Sequence, residues 1–89
     1  PITIMRLIST EPATGAELWS GETGDATAEV AAARAAFPAW AAQPVTFRAE
    51  TLRRFANVVR AREAEFADLI ARETGKPLWE ARTEVAAVI

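Results

Sequence analysis

Cysteine and histidine are both missing from this 89-residue chain. Their absence removes thiol nucleophiles, disulfides, imidazole general bases and every metal site built on Cys or His. A chain without Cys suits the cytoplasm, where thiols stay reduced. Long apolar runs are missing too. Arg34 interrupts the longest candidate, which falls short of the ~20 residues a bilayer-spanning helix needs. No charged stretch followed by an apolar core opens the chain, so no signal peptide is expected.

Positive charge is not in excess either. The formal net charge is −2, which argues against a nucleic-acid binder with its basic stripe. Up to Pro44 there are two Arg against four Glu and one Asp. Beyond it, seven Arg and one Lys face six Glu and one Asp. The second part is a mixed, solvated helical surface rather than a polybasic tail. Hydrophobic residues make up 51%, but many are Ala, and three Trp and four Phe are the only large aromatic anchors. Burial stabilises by about 25 cal/mol per Å² of apolar area, so Ala contributes little. A chain of this size buries about 60–65% of its unfolded surface at best. A helical chain so rich in Ala is expected to need an outside surface to complete its core.

The spacing predicts an α+β unit, mostly helical, with an N-terminal hairpin followed by three or four helices. Residues 1–24 form the hairpin and loop, and residues 25–89 the helical layer. Ile2, Ile4, Leu7 and Ile8 give a β-prone start, Thr10 to Gly15 a turn, and Glu17 to Ser20 the returning strand. Thr27 is the expected N-cap of a helix from Ala28 to Phe37, with a break at Pro38. Val30, Arg34, Phe37 and Trp40 fall near one face of it. Pro44 marks the next start. Leu52, Phe55, Ala56 and Val59 make an amphipathic stripe there, with Glu50 and Arg54 as an outer ion pair. A third helix from Glu63 to Thr74 turns Phe66, Leu69 and Ile70 inward and pairs Asp68 with Arg72. Its junction near Ala61 and Arg62 carries neither Gly nor Pro, so one long bent helix is equally compatible. Gly75 is the expected left-handed stop, and Pro77 suits the first turn of a fourth helix. That helix sets Leu78, Ala81, Val85 and Ile89 on one face, and no stop signal follows.

Each candidate for chemistry has a plainer reading. Gly21-Glu22-Thr23-Gly24 lacks the spacing of a dinucleotide fingerprint and the Lys-Ser/Thr of a phosphate loop, so it is expected to be a plain loop. Gly75-Lys76-Pro77 fails likewise. Glu80 and Glu84 share a helical face, but acid–base work needs burial to separate their pKa values, and nothing local signals it. Trp19, Trp40 and Trp79 read as core or interface anchors. Ser9, Thr14, Ser20 and Thr83 have no evident base to activate them. No catalytic, cofactor-binding or metal-ligating residue is predicted.

The order Ala71-Arg72-Glu73-Thr74-Gly75-Lys76-Pro77-Leu78 resembles a region near the start of NAD(P)-dependent aldehyde dehydrogenases. Two upstream motifs agree. Glu11-Pro12-Ala13-Thr14-Gly15 is similar to the family's NPATGE turn, and Ala35-Ala36-Phe37-Pro38-Ala39-Trp40 to its AFPAW helix end. Arg48 and Leu52 fall where the family has an Arg and a Leu. The run from Leu78 to Val85, with Leu18-Trp19-Ser20-Gly21, most resembles the succinylglutamate-semialdehyde dehydrogenase branch. Glu11 stands for the usual Asn, Ala16 for a common Glu, and Val88 where that branch often has Met.

The resemblance covers Leu7 to Ile89. It implies the outer helical part of an α/β cofactor-binding domain, lying beside a sheet this chain does not contain. It also implies NAD as cofactor of the parent enzyme, with the nucleophilic Cys, the general base and the cofactor-binding strands lying beyond these residues. The expected partner is then the remainder of that enzyme. The alternative is a stand-alone helical module that self-associates through its apolar faces.

Overall fold

The computed structural model describes residues 5–89 of the chain, so the expected strand positions Ile2 and Ile4 lie outside the described residues. Two antiparallel strands, β1 (Arg6–Thr10) and β2 (Glu17–Glu22), precede four helices. These are α1 (Ala26–Ala41), α2 (Val45–Ala61), α3 (Glu63–Thr74) and α4 (Leu78–Val88). The expected hairpin and mostly helical α+β architecture are both present.

The hairpin register sets Arg6 opposite Glu22, Ile8 opposite Ser20 and Ser9 opposite Trp19, then skips Leu18 to pair Thr10 with Glu17. That bulge bends the ribbon next to its turn. Glu11 holds the turn from both ends. Its N–H donates to the Ala16 carbonyl at 2.8 Å, and its own carbonyl accepts from Gly15 N–H at 2.8 Å. Gly15 sits at φ 76°, where a Cβ would be strained.

Two expectations for α1 need correcting. Asp25, not Thr27, is the cap: its Oδ1 accepts from the N–H groups of Thr27 and Ala28, at 3.0 and 3.2 Å. The helix therefore starts two residues early. It also passes through Pro38 without ending, and the Pro38 carbonyl still accepts from Ala42 N–H at 3.1 Å. Every residue of α1 is exposed. A carbonyl that Pro38 deprives of its partner is thereby hydrated, which lowers the penalty that would break a buried helix.

Pro44 opens α2 as expected, at φ −57° and ψ 150°. Helices α2 and α3 are separate, divided at Arg62 (φ −114°, ψ 19°). The Arg62 side chain is engaged on the α3 side of the break. Its guanidinium donates to both carboxylate oxygens of Glu65, at 3.0 and 2.7 Å, and lies 4.9 Å from the centre of the Phe66 ring. Gly75 ends α3 in the left-handed region (φ 78°), its N–H donating to the Ala71 carbonyl at 2.9 Å. Pro77 is the residue just before α4 rather than its first turn.

The buried core is Val59, Ala67, Ala81 and Val85, with Phe66, Ile70 and Ala71 packed against it. Close packing joins β1 to β2 and α3 to α4, and more thinly α2 to α4. The outcome is a slab of 48 × 40 × 15 Å, little more than one helix thick.

Candidate functional site

The residues singled out for chemistry are dispersed, and the hydroxyls among them are already engaged. Ser9 donates its hydroxyl hydrogen to Glu73 Oε2, Thr14 to Glu11 Oε1, and Thr83 to the Glu80 carbonyl, while Ser20 accepts from Arg6. Glu73 beside Ser9 is a base that the sequence did not reveal. A carboxylate without an intervening imidazole is nonetheless too weak to hold a serine alkoxide. Glu84 is tied by Lys76 Nζ at 2.6 Å, a bond that lowers the pKa of Glu84 and raises that of Lys76. Glu80 and Glu84 thus form no catalytic dyad. Trp40 meets Phe47 edge-on at 6.4 Å, whereas Trp79 is 66% exposed. The three Trp are dispersed, and exposed Trp79 corrects the core half of its reading as a core or interface anchor.

No dinucleotide cradle fits the loop after β2. A cofactor pyrophosphate would need the free N–H groups at the start of α1, but the Asp25 carboxylate already occupies them. A second negative charge there would be repelled. Among the described residues, no group of three or more acidic side chains is placed to hold a metal ion.

Docking features are what the structure does present. A polar latch joins the hairpin to α3. Arg72 Nε donates to Glu11 Oε2 at 2.9 Å, Asp68 stands 3.8 Å from the same guanidinium, and Ser9 bonds to Glu73 one residue on. The Arg72 bond, with the Thr14 bond beside it, holds the Glu11 carboxyl below the ordinary carboxylate range. The expected Asp68–Arg72 pair is therefore real. The expected Glu50–Arg54 pair is not among the ion pairs of the described residues. Neither side chain has a packed neighbour to fix it, so solvation outweighs the pairing.

The apolar faces are bare. Leu52, Phe55 and Leu78, which the spacing set on apolar helix faces, are exposed. A groove of about 290 Å³ runs between α2, α3 and α4, lined by Phe55, Val59, Phe66, Ile70, Val85 and Val88. A second hollow, of about 320 Å³, lies along Val30, Ala33, Arg34 and Phe37 of α1. The accessible surface totals 6985 Å². A compact monomer of this mass exposes about 5100 Å², so about 1900 Å² is uncovered surplus. The radius of gyration agrees: 17.1 Å, against about 12 Å for a compact domain of this length.

A model of the aldehyde dehydrogenase family matches residues 5–89. This chain belongs to that family. The N-succinylglutamate 5-semialdehyde dehydrogenase of Sphingopyxis alaskensis is 68% identical over 82 residues, which is 92% of this chain and 17% of that protein. The enzyme of the same name from Novosphingobium aromaticivorans is 60% identical over 83 residues, 93% of the chain and 18% of the relative. That of Chromobacterium violaceum is 50% identical over 86 residues, again 93% and 18%. The chain thus spans less than a fifth of the length of these relatives. Among the described residues, no helix is long and apolar enough to cross a membrane.

Proposed function

We propose that this chain is the opening structural segment of a cytoplasmic, NAD-dependent enzyme of arginine catabolism. That enzyme oxidises N-succinylglutamate 5-semialdehyde to N-succinylglutamate. The observation that carries the reading is 68% identity across 92% of the chain to a relative of which it spans only 17%. At that identity the segment keeps the relative's shape, while most of the relative's length has no counterpart here.

In this reading residues 1–89 are one partial domain, the outer helical layer of the cofactor-binding domain, and their partner is the remainder of the enzyme. The chain supplies no catalytic, cofactor or metal residue. Oxidising an aldehyde to an acid requires a nucleophile to add to the carbonyl carbon and an acceptor to take the hydride that leaves it. These residues offer no thiol and no activated hydroxyl, and the N-terminus of α1 after the Gly21–Gly24 segment is filled by the Asp25 carboxylate. What they offer is surface. Alanine along α1 admits a close neighbour, Val30 and Phe37 present a hollow to it, and the Glu11–Arg72 latch fixes the angle of the hairpin.

The test replaces the matching segment of the Sphingopyxis alaskensis enzyme with these 89 residues. NADH formation from N-succinylglutamate 5-semialdehyde is then followed. The chimera is expected to keep turnover within about tenfold of its parent, and the 89-residue chain alone to give none. A folded but inactive chimera would overturn the proposal, as would sustained turnover by the chain alone.

A further inference from the structure

We propose that Arg72 is a shared cation that works the hairpin as a strap. Bonded to Glu11 it holds the strap closed on α3, and turned back to Asp68 it lets the strap open.

The strap is complete in itself and has little else to hold it. Away from its turn it is closed by Met5 and Thr23: Met5 N–H donates to Thr23 Oγ1 at 3.0 Å, and Thr23 N–H to the Met5 carbonyl at 2.7 Å. Among the described residues close packing joins β1 to β2, but neither strand to a helix. The side-chain bonds that cross to α3 are polar, Arg72 to Glu11 and Ser9 to Glu73. Such a contact opens without exposing an apolar core.

Two carboxylates face the one guanidinium, and only one of them is bonded. Glu11 is fully committed: Oε2 accepts from Arg72, Oε1 accepts from Thr14, and its side chain is 13% exposed. Asp68 is not. Its Oδ2 stands 3.8 Å from Arg72 Nη1, too far for a hydrogen bond, and its side chain is 65% exposed. Asp68 precedes Arg72 by one helical turn, the i,i+4 order in which an acid and a base on a helix attract. Arg72 is itself half exposed, so turning its side chain is all that the second pairing requires. Opening the strap then leaves no bare cation, because Asp68 replaces Glu11, and it moves the two carboxylates apart. No other Lys or Arg pairs with either carboxylate among the described residues. Exposed ion pairs differ little in free energy, so the two positions exchange rather than lock.

The sign of one substitution tests this, since removing an ion pair ordinarily loosens a structure and Asp68→Asn is here expected to tighten one. The chain has no Cys, so Ala13→Cys in the exposed hairpin turn accepts a single nitroxide label. Paramagnetic broadening of the amides in the last turn of α3 then reads the fraction of closed strap. Asp68→Asn is expected to raise the closed-to-open ratio about two- to fivefold, and Glu11→Gln to lower it by a similar factor. In an Arg72→Gln background, Asp68→Asn is expected to change nothing, because there is no cation left to share. Both sites are on the surface, so circular dichroism is expected to show unchanged helicity. Three results would each overturn the proposal: no broadening of α3 in the labelled parent, a ratio unchanged or lowered by Asp68→Asn, or an equal gain from Asp68→Asn in the Arg72→Gln background. The last would mean that Asp68 merely repels Glu11.

Discussion

Helices α3 and α4 and helix α1 show how differently two stretches of one chain can be held. The α3–α4 pair buries Ala67, Ala81 and Val85 against Val59 and has close helix–helix packing. Helix α1 is longer and richer in Ala, yet each of its sixteen residues is exposed. Propensity and an Asp25 cap are enough to describe α1 locally; only α3–α4 has tertiary packing to back its helical form. The lesson is that helix formation and helix burial are separate outcomes, and the same sequence can supply the first without the second.

The largest expected effect makes that contrast directly, with one substitution placed in both regions. Ala81→Asp buries a carboxylate at a position with no exposure, and is expected to cost about 3 kcal/mol or more. In a chain with so small a core that abolishes cooperative thermal unfolding. Ala33→Asp on α1 meets only water and is expected to cost less than about 1 kcal/mol, the propensity difference alone. Thermal melts followed by circular dichroism separate the two, and similar losses from both would show that α1 is packed after all.

A middle-sized effect is expected at the joint inside the packed region. Gly75 holds φ 78°, with open space where a Cβ would project. Gly75→Ala therefore carries only the left-handed backbone penalty of about 1 kcal/mol, without a clash. A urea midpoint lowered by that amount at unchanged slope is the expected reading. An unchanged midpoint would mean that the α3–α4 turn relaxes freely.

The smallest effect concerns the latch between the two kinds of region. The Glu11 carboxyl is held below its ordinary range by Arg72 first and Thr14 second. A carboxyl with a depressed folded pKa contributes stability that is complete above its unfolded value and lost as pH falls through the folded one. Acidification to below the ordinary carboxylate range is therefore expected to release the hairpin from α3, as is added salt, while α3–α4 stays helical. Hydrogen exchange at the β1 amides checks this. Glu11→Gln is expected to remove the pH dependence, and a pH profile shared with Glu11→Gln would exclude the latch.

What could be read from the residues alone follows from how far each signal reaches along the chain. Gly75, Pro44 and Pro77 mark true boundaries because their restrictions act within one or two residues. Pro38 misleads because the damage done by a proline depends on whether water can reach the carbonyl it strands, and α1 is bare. Thr27 and Asp25 are both capping residues, and only the coordinates show which side chain folds back. The break at Arg62 is invisible in a search for Gly or Pro, since no residue of either kind stands there. Most of the groove was legible as apolar stripes, with Phe55, Val59, Phe66, Ile70 and Val85 falling on the predicted faces. That those faces would stay uncovered by their own chain was expected from the scarcity of large aliphatics and from the family resemblance, which implies a sheet these residues do not contain. The latch was not legible, because 61 residues separate Glu11 from Arg72 and 64 separate Ser9 from Glu73.

A thickness of 15 Å leaves room for a single stratum of helices, so the usual sorting of side chains into inside and outside has no meaning over most of this molecule. Each helix offers two flanks, and the small methyl groups of α1 let a neighbouring axis settle at about 8 Å rather than 10. Such a tile fixes in advance how near a second stratum can come, whichever polypeptide provides it.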